Sequence, residues 1–286
     1  MQNLVSILVP IHNRLNITKQ GLKSLYLALT EYRKIGNQNC IFDVIVIDDG
    51  SKDGSSVWIA KNYPDIHLLK GDGNLWWSGA INMGARYAIE NFGSDYILLW
   101  NDDLTPAIDY FEEINNSLNK YNKFIQGSYI YEESTNKIWS NGGKFNVLTG
   151  SRSMIRNRLK QNKFVYDWLP GMGTLIPKFV IEKIGYWDYL SFPQYHGDFD
   201  FIMRSSMGGF KIHVNEKLLI YNKTEYSSTK GSGLKTFFKS FNDIGSRYNI
   251  KRDIMMYRKY CVGPFWIISF FRKYFIYFIK TFILKN

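Results

Sequence analysis

The chain is short of the residues that mark secreted, redox-active or membrane-spanning proteins. Two cysteines, Cys40 and Cys261, occur in 286 residues. They share no metal or redox spacing, so a disulfide framework is not expected and a reducing compartment fits. No apolar stretch reaches the roughly 20 residues needed to cross a bilayer. Met1 to Asn3 leads straight into a strand-like run, so no signal peptide is expected ahead of the fold. Acidic residues are also in deficit, 25 against 36 basic, for a formal net charge of +11. That balance implies anionic partners: nucleotide phosphates, nucleic acid or an acidic membrane face.

Aromatic residues are plentiful, with 20 Tyr, 20 Phe and 8 Trp in a chain that is 45% hydrophobic. At 33.5 kDa it can bury a full core. Alternation of strand-like and helix-like runs fills the first 120 residues. Leu4–Pro10, Val44–Ile47, His67–Leu69 and Tyr96–Trp100 read as strands. Helices are predicted from helical spacing around Leu22, Leu25, Tyr26 and Leu29, capped by Thr18 or Asn16, and over 55–61, 79–90 and 106–120. In the last of these, Ile108, Phe111 and Leu118 should face inward. This pattern predicts a doubly wound α/β half.

The second half is less regular. Residues 127–130, 137–139, 175–177, 211–214 and 218–221 are strand candidates, and Asp198–Met207 is a helix. Ser227–Gly233 is loop-like and long enough to act as a lid. The C-terminus alternates apolar runs with Arg272, Lys273 and Lys280, and Asp253 is the acid facing the tail's many bases. We expect it to lie in a membrane interface, packing on the protein's own core being the alternative.

Four constellations carry chemistry. Three strands stop abruptly on polar groups, and in open parallel sheets the ligand crevice lies at such ends. Pro10-Ile11-His12-Asn13-Arg14 and Asp48-Asp49-Gly50-Ser51 form the first; carboxylates there can accept bonds from a base N–H or a ribose hydroxyl, although Asp-Asp-Gly-Ser alone is an ordinary turn. Gly71 to Ala80 is the second. Its small residues open a helix whose first N–H groups can meet a phosphate, and one of Trp76 and Trp77 can wall a site. Asn101-Asp102-Asp103 is the third, a carboxylate pair suited to Mg²⁺ or Mn²⁺ shared with substrate phosphates, or an N-cap. The fourth is Asp198, preceded by Trp168-Leu169-Pro170-Gly171-Met172-Gly173-Thr174. Asp198 can take a proton from a hydroxyl, Gly171 and Gly173 allow close approach of a substrate, and Asp200 can pair with Arg204 one turn on.

In order and spacing these segments resemble glycosyltransferase family 2, over most of residues 4–215. The resemblance implies the GT-A nucleotide-diphospho-sugar transferase fold: α/β, a mostly parallel central sheet flanked by helices, here with a basic amphipathic C-terminal helical tail. It implies a catalytic domain over 1–225, divided into a nucleotide-binding half (1–120) and an acceptor half (121–225), followed by a loop and membrane-associating tail over 226–286. By the same resemblance Asp49 holds the base, and Pro10, His12, Arg14, Gly50, Ser51, Asn74, Trp77, Ser78 and Gly79 line the donor nucleotide. Asp102 contacts ribose, Asp103 holds a divalent metal (Mn or Mg), Trp168, Gly171, Met172 and Gly173 face the sugar or acceptor, and Asp198 is the catalytic base.

The implied activity is inverting, metal-dependent transfer of a hexose-type sugar from a UDP- or dTDP-linked donor to a glycan or polyprenyl-linked acceptor. Lys230 in the lid would cover the pyrophosphate. The setting would be bacterial surface polysaccharide assembly on the inner face of the cell membrane, with no nucleic-acid partner. The Asp198 and Asn-Asp-Asp segments resemble the rhamnosyltransferase-like branch. Two departures stand out: Gly197 replaces the glutamate that often precedes the base, and Asn101 opens the metal motif. The rival readings are a sugar nucleotidyltransferase, which would release pyrophosphate from nucleoside triphosphate, and a non-catalytic glycan-binding protein.

Overall fold

A computed structural model describes residues 2–157, 166–223 and 233–283. The first half runs β1 (Asn3–Ile11), α1 (Leu15–Arg33), β2 (Cys40–Asp48), α2 (Ser55–Asn62), β3 (His67–Lys70), α3 (Trp76–Phe92), β4 (Tyr96–Leu99), β5 (Leu104–Pro106) and α4 (Tyr110–Tyr121). The second continues with β6 (Ile125–Glu132), β7 (Lys137–Ser140), β8 (Gly143–Phe145), β9 (Arg152–Met154), β10 (Thr174–Pro177), α5 (Lys178–Ile184), α6 (Gly197–Met207), β11 (Ile212–Asn222), α7 (Leu234–Ser240), α8 (Ile250–Tyr260) and α9 (Trp266–Phe282).

One sheet organises the described residues, in the order β3-β2-β1-β4-β10-β6-β11-β5, with β7 alongside β6. Strands β3, β2, β1 and β4 are mutually parallel. The apolar runs of β1, β2 and β4 are buried on both faces, as a sheet covered twice requires, while edge strand β3 is only half-buried. Side chains alternate along β1: Val5, Ile7, Val9 and Ile11 join the core under α1, α2 and α4, while Leu8 joins the core under α3, α6 and α8. Strand β10 runs antiparallel to β4, pairing Thr174 with Leu99. Residues 171–173 therefore arrive at the same sheet edge where β1, β2 and β4 end.

Several local expectations are corrected. Thr18 and Asn16 do not cap α1. The backbone N–H of Leu15 is met by Asp53 from the loop after β2, at 2.8 Å, and the Thr18 hydroxyl points to Asp102. Helix α4 begins at Tyr110 rather than Pro106, because residues 104–106 pair with β11. Ile108 is consequently exposed, while Phe111 and Leu118 are buried as predicted. The segments 211–214 and 218–221 are one strand, β11, whose register shifts between Asn215 and Leu219.

The tail folds back on the body. Met256, Tyr257 and Tyr260 of α8 are buried in the main core, and Tyr277 of α9 is stacked on Tyr248 and Phe237. The outward side of α9 leaves Ile268, Phe271, Phe275 and Ile283 between 63% and 68% exposed. Among the described residues no helix is long and apolar enough to cross a membrane. Lys230 and most of the 227–233 segment lie outside the described residues.

Gly21 fixes the seat of α1. A Cβ there would lie 1.9 Å from the backbone oxygen of Asp102. Gly21→Ala must push α1 off the turn that carries the carboxylate pair. The expected loss is about 1–3 kcal/mol, on the scale of core overpacking, read as a lower denaturation midpoint; an unchanged midpoint would contradict this packing.

Candidate active site

Two adjoining cavities open at the ends of β1, β2 and β4. The first, about 390 Å³, is lined by Pro10, His12, Arg14, Asp49, Trp76, Trp77, Asn101, Asp102 and Gln194, among others. The second, about 560 Å³, includes Trp77, Asn101, Gln194, Arg152, Trp168, Gly171, Met172, Asp198, Arg247 and Lys273 in its wall. Trp77, Asn101 and Gln194 are common to both. The indole N–H of Trp77 donates to Asn101 Oδ1 at 3.2 Å, so the partition is itself hydrogen-bonded.

Arg14 organises the first cavity. Its guanidinium reaches Asp102 at 3.2 Å and Asp103 at 2.8 Å. Burial pushes the Asp102 carboxyl up to about 6, against the opposing Arg14 charge, while the nearby Asp103 adds to the rise. Asp102 lines the cavity, but Asp103 turns toward a small cleft beside Ile17, Gly21 and Lys223. Asp103 Oδ1 is buried there without a hydrogen-bond partner.

The donor set fits a divalent cation in type: two adjacent carboxylates, one of them with an orphaned oxygen, and phosphates to complete the shell. Among the described residues no group of three His, Cys, Asp or Glu side chains gathers around a metal position. Affinity without nucleotide should therefore be low, and Arg14 already neutralises part of the charge a cation would meet.

The carboxylate of Asp49 does not wait for a base. It accepts the backbone N–H groups of Gly73 (2.8 Å), Leu75 (3.2 Å) and Trp76 (2.9 Å), welding the 71–76 loop to the end of β2. Gly50, at φ +70°, leans on the backbone of Gly73, where a Cβ would meet its nitrogen at 2.9 Å. Ser51 accepts the Asn13 N–H at 2.8 Å and clamps the loop after β1. Gly50 and Ser51 thus shape the cavity from behind.

The N-terminal N–H groups of α3, expected to meet a phosphate, have partners within the chain. Trp77 N–H donates to Gln194 at 3.1 Å, and Ser78 N–H to the Pro193 carbonyl at 2.8 Å. The Ser78 hydroxyl donates to the Phe192 carbonyl at 2.6 Å, and Gly79 is closed into the helix. Asn74 is exposed and lines neither cavity. Both tryptophans, rather than one, wall the first cavity.

Asp198 sits in the first turn of α6 and lines the second cavity. Its carboxylate accepts N–H groups from Phe199 at 2.7 Å and Gly171 at 3.0 Å. Burial nevertheless holds its carboxyl above the usual range, with those bonds and Arg152 opposing. Gly171 is needed for the wall: a Cβ there would strike the Trp77 ring at 2.3 Å. Gly173, at φ +64°, lies away from the cavity against Ser128, Tyr110 and Ile220. A Cβ at Gly197 would lie 2.0 Å from the Ser78 hydroxyl and 3.1 Å from the Phe192 carbonyl, so a glutamate there would require Ser78 to move. Asp200 bonds Arg204 at 2.9 Å as expected, and Lys259 of α8 at 2.6 Å.

The sequence reading missed the layer behind Asp198. His196, at φ +70°, is buried between Arg152 and Asp253, with its Nε2 2.8 Å from Asp253 Oδ1 and its Nδ1 3.2 Å from the Arg152 guanidinium. Asp253 also accepts Lys273 at 2.6 Å and the Tyr274 hydroxyl at 2.8 Å. Two turns of the tail are thereby fastened to the residue two positions before Asp198. The one signal in the sequence was the isolation of Asp253 among bases.

The model for "Glycosyl transferase family 2" matches residues 6–184. The chain belongs to this family. An uncharacterized glycosyltransferase of Rickettsia typhi is 26% identical over 240 residues, covering 81% of this chain and 67% of that relative. The low-salt glycan biosynthesis hexosyltransferase Agl10 of Haloferax volcanii is 25% identical over 175 residues, covering 58% of this chain and 53% of that protein. Among solved structures, the mannosyltransferase PcManGT of Pyrobaculum calidifontis, in complex with GDP-Man and Mn²⁺, superposes with a TM-score of 0.59 at 13% identity. That match covers 92% of this chain and 66% of that one, and it shows the GT-A fold.

Burial and the facing Arg152 pull the His196 imidazole down to about 4, against the opposing bond to Asp253. Burial works to raise the Asp253 carboxyl, but the bonds from His196 and Lys273 outweigh it and hold it at about 2. From the ordinary imidazole value of 6.5 down to about 4, protons bind the unfolded chain before the folded one. Stability present above that window is lost as pH falls through it; Asp253 adds a further loss below its ordinary 3.8. Asp102, raised to about 6, and Asp198, also raised, contribute the opposite slope in part of this window. Between pH 6.5 and 4 the thermal midpoint of the parent protein should therefore fall relative to that of His196→Gln. Equal slopes in the two proteins would rule out His196 as the source.

Proposed function

We propose that the protein is an inverting glycosyltransferase that moves a sugar from a nucleotide-diphosphate donor to a hydroxyl of a glycan or polyprenyl-linked acceptor. The observation that carries this reading is the pair of cavities divided by Trp77, Asn101 and Gln194, with Arg14 and Asp102 on one side and Asp198 on the other. The donor nucleotide lies in the first cavity between Trp76, Trp77, Pro10 and His12, its diphosphate toward Arg14. Asp102 meets ribose, and Asp102 with Asp103 would hold Mn²⁺ or Mg²⁺. Such a cation supplies charge neutralisation for the departing diphosphate. The Mn²⁺ in complex with the Pyrobaculum mannosyltransferase supports that assignment.

In the second cavity the acceptor hydroxyl approaches Asp198. Burial raises its pKa and so makes it a stronger base than an exposed carboxylate, while the N–H groups of Gly171 and Phe199 oppose that rise and aim the carboxylate. As Asp198 takes the proton, the acceptor oxygen bonds to the anomeric carbon and the carbon–oxygen bond to the diphosphate breaks. Attack from the opposite face inverts the anomeric configuration. Trp168 and Met172 bound the space for the incoming sugar. A UDP- or dTDP-linked donor and a rhamnosyltransferase-like specificity are the finer assignments we favour, from the motifs around Asp198 and Asn101.

The exposed face of α9, with Ile268, Phe271 and Phe275 beside Arg272 and Lys280, would rest on the anionic inner surface of the cell membrane. That contact would bring the enzyme to a lipid-linked acceptor of surface polysaccharide assembly.

Asp198→Asn should cut transfer by about 10² to 10⁴-fold while nucleotide-sugar affinity, measured by calorimetry, is kept. Near-normal turnover in that variant would remove Asp198 from its role. Removing the whole tail would also strip Lys273 from the site, so membrane contact is better tested with the outer face alone. Ile268→Glu, Phe271→Glu and Phe275→Glu together should release the protein from phosphatidylglycerol vesicles; undiminished cosedimentation would dismiss the docking face.

A further inference from the structure

We propose that the second cavity contains a phosphate subsite, formed by Arg152, Arg247 and Lys273, that holds the ester linking the acceptor sugar to an apolar chain. The inference rests on the transferase reading and specifies its acceptor. Three cations reach one cavity from three separate elements: Arg152 from β9, Arg247 from the segment before α8, and Lys273 from α9. Among the described lining residues Asp198 is the one acid. Asp253 lies buried behind the wall, occupied by His196, Lys273 and Tyr274.

Each cation is placed. The Arg152 guanidinium lies 5.0 Å over the Phe199 ring and 3.2 Å from His196 Nδ1. Lys273 is held by Asp253 and, at 2.7 Å, by the backbone carbonyl of Arg247. That bond draws Arg247 against α9. Burial pulls the Lys273 ammonium below its usual range, and Arg152 and Arg247 pull it further while Asp253 opposes. Asp253 balances the charge of Lys273, whereas neither Arg152 nor Arg247 has a carboxylate partner among the described residues; planar guanidinium groups suit phosphate oxygens.

The donor diphosphate does not account for them. None of the three lines the first cavity, where Arg14 supplies the positive charge. The cations also border α9, whose Ile276 belongs to the cavity wall while its neighbour Phe275 is on the exposed face. A chain esterified to a phosphate at Arg152 and Arg247 can leave past Ile276 and run along Phe275 and Phe271. An uncharged glycan would use neither feature.

The test is a titration of tryptophan emission from the full chain, which reports on Trp77, Trp139 and Trp168 in the cavity wall. The probes are geranyl phosphate, octyl glucoside and inorganic phosphate, below micellar concentrations at about 0.15 M salt. Geranyl phosphate should bind about tenfold or more tightly than octyl glucoside, the scale of one charge-assisted hydrogen bond. Arg247→Gln, at an exposed position that leaves the core intact, and Arg152→Gln should each weaken geranyl phosphate about tenfold. Arg152→Lys should recover part of the loss, and Arg258→Gln, outside the cavity, should change nothing.

Inorganic phosphate binding as tightly as geranyl phosphate would support the subsite and assign it to a soluble phosphorylated glycan; weaker binding supports the lipid source. Equal affinity for octyl glucoside, or indifference to both glutamine variants, overturns the proposal. No turnover is required, so failure here is separate from failure of Asp198→Asn to impair transfer.

Discussion

The carboxylate of Asp253 is the constraint on which the rest of the site depends. It is buried, in α8, yet its three partners lie on the base loop and on α9. A buried charge is tolerated only when its bonds are filled, so Asp253 compels His196, Lys273 and Tyr274 to converge. That convergence sets the backbone turn at His196, from which Gly197 and Asp198 follow. Asp200 repeats the device with Arg204, Lys259 and Tyr260. The helix carrying the proposed base is thus moored by acids at both ends of one short run.

The tail has two faces with different physical tasks. Its inner face supplies Lys273 and Ile276 to the second cavity, and its outer face presents exposed phenylalanine and isoleucine. An amphipathic helix normally divides core from water. Here the inner side is partly aromatic packing, through Trp266, Phe270 and Tyr277, and partly cavity wall, while the exterior keeps large apolar side chains between Arg272 and Lys280. Three tail bases that look like membrane-facing charge in the sequence are internal fasteners: Lys259, Lys273 and Arg252, the last donating to the carbonyls of Leu190 and Ser191.

Much of the fold was legible because its signals are local. The runs that became β1, β2 and β4 are continuous apolar segments ended by polar residues, and parallel pairing then brings their ends together whatever the loops do. Pro10, His12, Arg14, Asp49 and Asp102 reach the first cavity for that reason, while Trp168 and Met172, ahead of antiparallel β10, and Asp198, on α6, line the second. What each residue does there was less legible, because it depends on partners distant in the chain. Asp49 and Ser78 carry ligand-ready groups, but backbone groups from residues 73–76 and 192 use them first. Gly171 and Gly197 answer to Trp77 and Ser78, contacts that no local pattern announces. Asp103 shares the Arg14 guanidinium with its neighbour but lines the small cleft rather than the first cavity.

The indole of Trp77 is wedged against the bare Gly171 backbone and tethered to Asn101, so the ring has no slack. A rigid plate standing between two chambers ties their dimensions together: widening one narrows the other. If the two chambers hold leaving group and incoming alcohol as proposed, variants that enlarge one will shift tolerance in the other in the same stroke, and selectivity for the two reactants will drift as a pair.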